Sequence, residues 1–213
     1  MNFNITFGYK KNHLLYNNLS IEIPDNKITT ICGHNGAGKT TLLKVLAGVY
    51  SSKTEIVDSW FVPSEGGLIY HFSLQEHLKL FLNKEQIVNN SLLNQAIELF
   101  GAKDFYTKKI SKLSTGQKII SAIIIAITSN KNFIILDEPF ASLDPINAQK
   151  LSIFLKKIAS EGKTILLTSH DLYMTSETAE HIILLKDGQI VFQEDSSNIS
   201  SLEFLQDKYK ELC

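Results

Sequence analysis

The sequence predicts an α/β protein: a mainly parallel sheet, a small antiparallel β unit at the start of the chain, and an inserted run of helices. Three patterns carry this expectation. Short β-branched or apolar runs at Lys27 to Cys32, Phe133 to Leu136 and Thr164 to Thr168 alternate with helical patterns. Two earlier runs, Asn2 to Phe7 and Leu19 to Ile23, alternate with period two and read as an antiparallel pair joined through the polar segment Gly8 to Asn18. Helical patterns dominate from about residue 63 to 129, so the expected division is a core of residues 1–62 and 130–213 around a helical subdomain.

Each element has a local reason. Lys27 to Cys32 leads directly into glycines, and Leu42, Leu43, Val45 and Leu46 then follow at helical spacing. Ser73-Leu-Gln-Glu76 is a capping box, and a second helical run extends from about Lys84 to Phe100, stopping at Gly101. A helix from about Gly116 to Ser129 precedes the strand Phe133 to Leu136. Pro145 sits at a helix first turn and Gly162 after its end, ahead of the strand at Thr164. The tail predicts strands at His181 to Leu185 and Gln189 to Phe192, joined by the turn Asp187-Gly188, and a terminal helix from about Ser200.

Composition narrows the chemistry. The 213 residues include 21 basic ones, every one a lysine, against 22 acidic, for a net charge of −1. Without arginine the chain has no rigid bidentate guanidinium for phosphates and no arginine finger. Near-neutral charge gives no broad footprint for nucleic acid. The longest apolar stretch, Ile119 to Ile127, falls short of the roughly 20 residues a membrane span needs. Met1 to Tyr9 lacks the basic-then-apolar pattern of a signal peptide, and Cys32 and Cys213 form neither a disulfide framework nor a zinc pattern. A cytoplasmic location is expected.

Gly33-His34-Asn35-Gly36-Ala37-Gly38-Lys39-Thr40 fits G-x-x-x-x-G-K-[ST] between a predicted strand and a predicted helix. Glycines there let backbone N–H groups point into one concavity, and the helix start adds partial positive charge. Lys39 is then a point charge for the β- and γ-phosphates and Thr40 a Mg²⁺ ligand. Phe133 to Leu136 ends in Asp137-Glu138; alternation along a strand sends the two carboxylates to different partners. Asp137 is placed to hold Mg²⁺, and Glu138 to orient and deprotonate an attacking water.

The order Lys39, Leu113-Ser114-Thr115-Gly116-Gln117, Asp137-Glu138, His170 resembles the ATP-binding subunit of an ABC transporter over essentially the whole chain. The resemblance implies a P-loop NTPase (RecA-like) core and Mg²⁺-dependent ATP hydrolysis by a head-to-tail dimer. It assigns Gly33 to Thr41 to the nucleotide and Ser114 to Gln117 to a signature segment, LSGGQ in the family, that closes over the γ-phosphate from the opposite subunit. It also makes Asp144 the D-loop acid, His170 the γ-phosphate switch and Tyr9 the aromatic that stacks on adenine. The implied partners are ATP, a second nucleotide-binding subunit and a membrane permease, with no nucleic acid, which places the chain peripherally on the cytoplasmic face of a membrane.

One position departs from the family pattern. Where a glutamine is usual, the stretch Val62-Pro63-Ser64-Glu65-Gly66-Gly67-Leu68 carries Ser64, too short to reach the metal directly. Glu65 or a bridging water are the substitutes open to it. The Pro-x-Glu-x-Gly-Leu pattern resembles exporter-type branches. Two other readings stay open: a family ATPase acting in translation or DNA repair, whose usual second cassette, coiled coil or basic surface is not seen here, and a cassette that clamps ATP without turnover.

Overall fold

Asn2–Phe7 (β1) buries Phe3, Ile5 and Phe7 and leaves the residues between them to solvent, the period of a half-buried strand. It pairs antiparallel with Tyr16–Glu22 (β2), Phe3 opposite Ile21 and Ile5 opposite Leu19. β2 begins at Tyr16 rather than Leu19 because that ring is fully buried while Asn17 and Asn18 face outward. The computed structural model describes residues 1–10, 13–52 and 56–212, so Cys213 lies outside the described residues.

Ile28–Cys32 (β3), Phe133–Leu136 (β5) and Thr164–Ser169 (β6) are buried along their whole length, as strands covered on both faces must be. With Ser59–Val62 (β4), His181–Lys186 (β7) and Gln189–Asp195 (β8) they form a sheet in the order β4-β5-β6-β3-β7-β8. All neighbours are parallel except β7 and β8. Cys32 lies opposite Ser169 and Leu136 opposite Leu167, so the carboxyl ends of β3, β5 and β6 open onto one edge. In open α/β sheets that edge is where ligands bind.

The helices are Lys39–Leu46 (α1), Leu74–Phe81 (α2), Lys84–Asn89 (α3), Ser91–Leu99 (α4), Thr115–Thr128 (α5), Pro145–Ser160 (α6), Leu172–Thr178 (α7) and Leu202–Leu212 (α8). The capping box at Ser73 forms, its hydroxyl accepting from the Glu76 N–H and the Glu76 carboxylate accepting from the Ser73 N–H. The pattern from Lys84 to Phe100 splits in two: Asn90 takes an extended conformation and its side chain accepts from the Leu93 N–H at 2.8 Å. A good N-cap here outweighs continued apolar periodicity. Neither α7 nor β4 stands out in the sequence; α7 is a short helix capped by the Asp171 side chain on the Met174 N–H.

Two cores flank the sheet. Ile134 and Leu136 face α5 and α6, whereas Phe133 and Ile135 face the β1–β2 unit and α1. α5 is buried continuously from Ile119 to Thr128, which explains an apolar run too short for a bilayer: it is a core helix. Among the described residues no helix is long and apolar enough to cross a membrane.

Candidate functional site

The loop from Gly33 joins β3 to α1 at the sheet edge just described. Gly38 has φ 109°, and a Cβ there would stand 2.6 Å from the Tyr16 hydroxyl oxygen. Glycine is therefore required on two counts, backbone sign and space. Tyr16 donates to the Gly38 carbonyl at 2.5 Å, and burial pushes its phenol upward, keeping it a donor. Lys39, almost fully buried, donates to the carbonyls of Gly33 at 2.8 Å and His34 at 3.3 Å. His34 Nδ1 donates to the Asn35 carbonyl, 2.9 Å away, and its Nε2 lies 3.4 Å from Asp187; the adjacent Gly188 N–H donates to the Ala37 carbonyl. The β7–β8 turn thus buttresses the loop, while Asn35 and Gly36 remain exposed.

The two carboxylates part company as expected, by a different device. Asp137, 4% exposed, accepts from the Thr40 hydroxyl at 3.0 Å on both oxygens and from Thr168 at 2.8 Å. Glu138 has φ 49°, and its N–H donates to Thr168 Oγ1 at 2.9 Å. The strand has already ended at Leu136, so this left-handed residue, rather than the pleat, turns Glu138 the other way. Its carboxylate lies 3.8 Å from Lys39 Nζ on one oxygen; the other lies 2.9 Å from His170 Nδ1 and accepts from the His170 N–H at 3.3 Å.

Thr40 and Asp137 form a hard oxygen pair, a hydroxyl and a buried carboxylate whose hydrogen bonds come from neutral threonines. That donor set fits Mg²⁺, which takes one or two protein oxygens and completes its shell with water and phosphate. Two protein oxygens leave most of an octahedral shell to water and phosphate, which suits a metal that arrives with phosphate.

Ser114, Thr115, Gly116 and Gln117 form a second cluster. Ser114 caps α5 in a reciprocal box with Gln117, at 3.2 and 3.1 Å. A Cβ on Gly116 would stand 2.9 Å from the Ser142 carbonyl, so glycine permits the helix start to approach the segment before α6. Both, with Asp144, line a cleft of about 620 Å³. Asp144 caps α6, accepting from the N–H groups of Ile146 and Asn147, and the Asn147 bonds hold its carboxyl below the usual range. Lys39, Asp137, Glu138 and His170 do not line this cleft. One chain therefore gathers its candidate residues into two places.

Ser64 is exposed and donates to Glu65 at 3.2 Å. Tyr9 is 65% exposed, with its hydroxyl 2.7 Å from Thr41 Oγ1. Two residues with structural claims on the site carry no motif: Thr168, which ties Asp137 to Glu138, and Tyr16, which seats Gly38. The signal for Thr168 is its place at the carboxyl end of a buried strand.

The family described as ABC transporter matches residues 16–141. An ABC transporter ATP-binding protein of Methanocaldococcus jannaschii is 31% identical over 194 residues, covering 87% of this chain and 72% of its own. A solved ATP-binding subunit of an ABC transporter superposes with a TM-score of 0.87 at 20% identity, over 100% of this chain and 99% of that one. A dimeric ATP-binding cassette in a post-hydrolysis state with ADP and Pi gives 0.79 at 24% identity, over 92% and 99%.

Proposed function

Because the chain belongs to the ABC transporter family, as an ATP-binding subunit, we propose that it hydrolyses Mg²⁺-ATP in a head-to-tail pair of cassettes and so drives a separate membrane subunit. The observation that carries this reading is the convergence of Lys39, Thr40, Asp137, Glu138 and His170 at one sheet edge, Thr40 bonded to Asp137 and both Lys39 and His170 set against Glu138.

The loop amides and the start of α1 bind the phosphates, and Lys39 exchanges Glu138 for the β- and γ-phosphate oxygens. Thr40 and Asp137 would hold Mg²⁺, which when bound neutralises phosphate charge. Glu138, held by His170, takes a proton from the attacking water as its oxygen bonds to the γ-phosphorus. The bond to the bridging oxygen breaks, and ADP and inorganic phosphate leave. His170, with Nδ1 protonated, donates to Glu138 and orients it. Tyr9 offers its exposed ring to the base.

Separation of the Ser114–Gln117 cluster from the Lys39 cluster favours a site completed by a second chain, as does the dimeric form of the structural relative with ADP and Pi. The helix start at Ser114 and Gly116 would then face the γ-phosphate, an anion site that needs no arginine. In this reading residues 63–129 form the helical subdomain, and the chain works at the cytoplasmic face of a membrane beside its permease, with no nucleic-acid partner. A Glu138→Gln protein should bind ATP and dimerise with it while losing about 10²–10⁴-fold in kcat. Lys39→Ala should lose ATP affinity. Wild-type turnover by the first, or unchanged affinity in the second, defeats the proposal.

A further inference from the structure

The phosphate loop is held by Tyr16, Lys39 and the β7–β8 turn, but the base would rest on one exposed ring just beyond β1, and a lone exposed tyrosine is free to turn. Tyr9 is not alone. Phe7 and Tyr50 stack with centroids 5.4 Å apart and planes 8° apart. Tyr9 sets its ring edge-to-face against both, at 5.2 Å and 80° to Phe7 and at 5.8 Å and 78° to Tyr50. Its hydroxyl is held by Thr41. The ring thus has two aromatic neighbours perpendicular to it and a held hydroxyl, while most of the residue stays open to solvent.

Phe7 is two residues from Tyr9 on the same segment, so that contact is local. Tyr50 comes from beyond the far end of α1. Its N–H donates to the Lys44 carbonyl at 3.1 Å, and the Lys44 ammonium lies 5.7 Å from its ring centre. Half-buried, it packs on the core formed by the β1–β2 unit and α1. One helix thereby serves both ends of a nucleotide: its first turn carries Lys39, Thr40 and Thr41, and the turn after its last residue carries the ring that holds Tyr9. Eight residues of α-helix span about 12 Å.

We propose that Tyr50 is a positioning residue for the nucleotide base, acting through Tyr9. It touches no substrate; it holds the Tyr9 ring in the orientation that stacks, so that binding does not have to immobilise that side chain. The proposal rests on Tyr9 as the base platform and is tested so that the two can fail separately.

Affinity for ATP, and displacement of a fluorescent nucleotide by inorganic tripolyphosphate, are measured for wild type, Tyr9→Ala, Tyr50→Leu and Tyr50→Phe. Leucine keeps apolar bulk against Phe7 and removes the ring; phenylalanine keeps the ring. Tyr50→Leu should weaken ATP by about 3- to 10-fold, the scale of an aromatic pair, and leave tripolyphosphate within about twofold of wild type. Tyr50→Phe should restore ATP binding. If Tyr9→Ala weakens ATP and Tyr50→Leu does not, the positioning role is wrong while the platform stands. If Tyr9→Ala leaves ATP unchanged, both are wrong. Equal weakening of ATP and tripolyphosphate by Tyr50→Leu would show that Tyr50 only supports the phosphate loop, which also overturns the proposal.

Discussion

Replacing Thr168 by valine removes one hydroxyl and keeps the shape of the side chain, so its cost can be worked from two bonds. Thr168 is fully buried, donates to Asp137 Oδ1 at 2.8 Å and accepts from the Glu138 N–H at 2.9 Å. The first is a bond to a carboxylate, worth about 1.5–3 kcal/mol, and the second is neutral, worth about 0.5–1.5 kcal/mol. Asp137 keeps its bonds from Thr40, whereas the Glu138 N–H is left without its acceptor on a residue already at φ 49°. The expected loss is about 2–4 kcal/mol, read as a lower urea midpoint at unchanged slope. Thr168→Ser, which retains the hydroxyl, should lose about half as much or less. Turnover should fall at least about tenfold in the valine variant, because Glu138 loses the anchor that aims it. A valine variant within about 0.5 kcal/mol of wild type would refute the idea that Thr168 ties the two carboxylates together.

Gly38→Ala should lose ATP binding in a calorimetric titration and about 1–3 kcal/mol or more of stability, since φ 109° and the 2.6 Å approach to Tyr16 both oppose a Cβ. Ser114→Ala should cost about 1 kcal/mol through loss of the α5 cap. If the signature segment acts in trans, that variant at dilute concentration should bind nucleotide with wild-type affinity while its steady-state hydrolysis falls. Asp195 is held below the ordinary carboxylate value of 3.8 chiefly by the His181 hydrogen bond, then by Lys27. A depressed folded value means that the carboxylate stabilises the protein above 3.8 and that this is lost as pH falls through the lower folded value. The stability gap between wild type and Asp195→Asn should therefore be full near neutrality and close below about pH 4. At 38% exposure the gap should stay under about 1 kcal/mol, as urea titrations across that range would measure.

Much of the site is legible in the chain because its parts are local. The Gly33–Thr40 spacing, the acids after an apolar strand and the Ser114 cap each rest on a few consecutive residues, and backbone sterics or helix-end hydrogen bonding dictates what they form. The periodicity from Lys84 predicts one helix where the chain forms two, because one side chain, Asn90, decides the break by capping, and periodicity does not register a single cap. Strand β4 leaves no pattern in the sequence because it is a half-buried sheet edge, where burial does not alternate.

The sequence by itself determined the phosphate loop and its helix, the absence of any guanidinium, the buried strands and the order of the motifs. These follow from residue type and spacing alone. Tertiary structure decided which strand ends meet. Leu136 pairs with Leu167 only through the sheet, and that register alone sets Thr168 beside Asp137 and His170 beside Glu138. Packing also decided that Tyr50, 41 positions from Tyr9, reaches its ring. Contacts between distant segments depend on how whole faces bury one another, and no short stretch of chain contains that information.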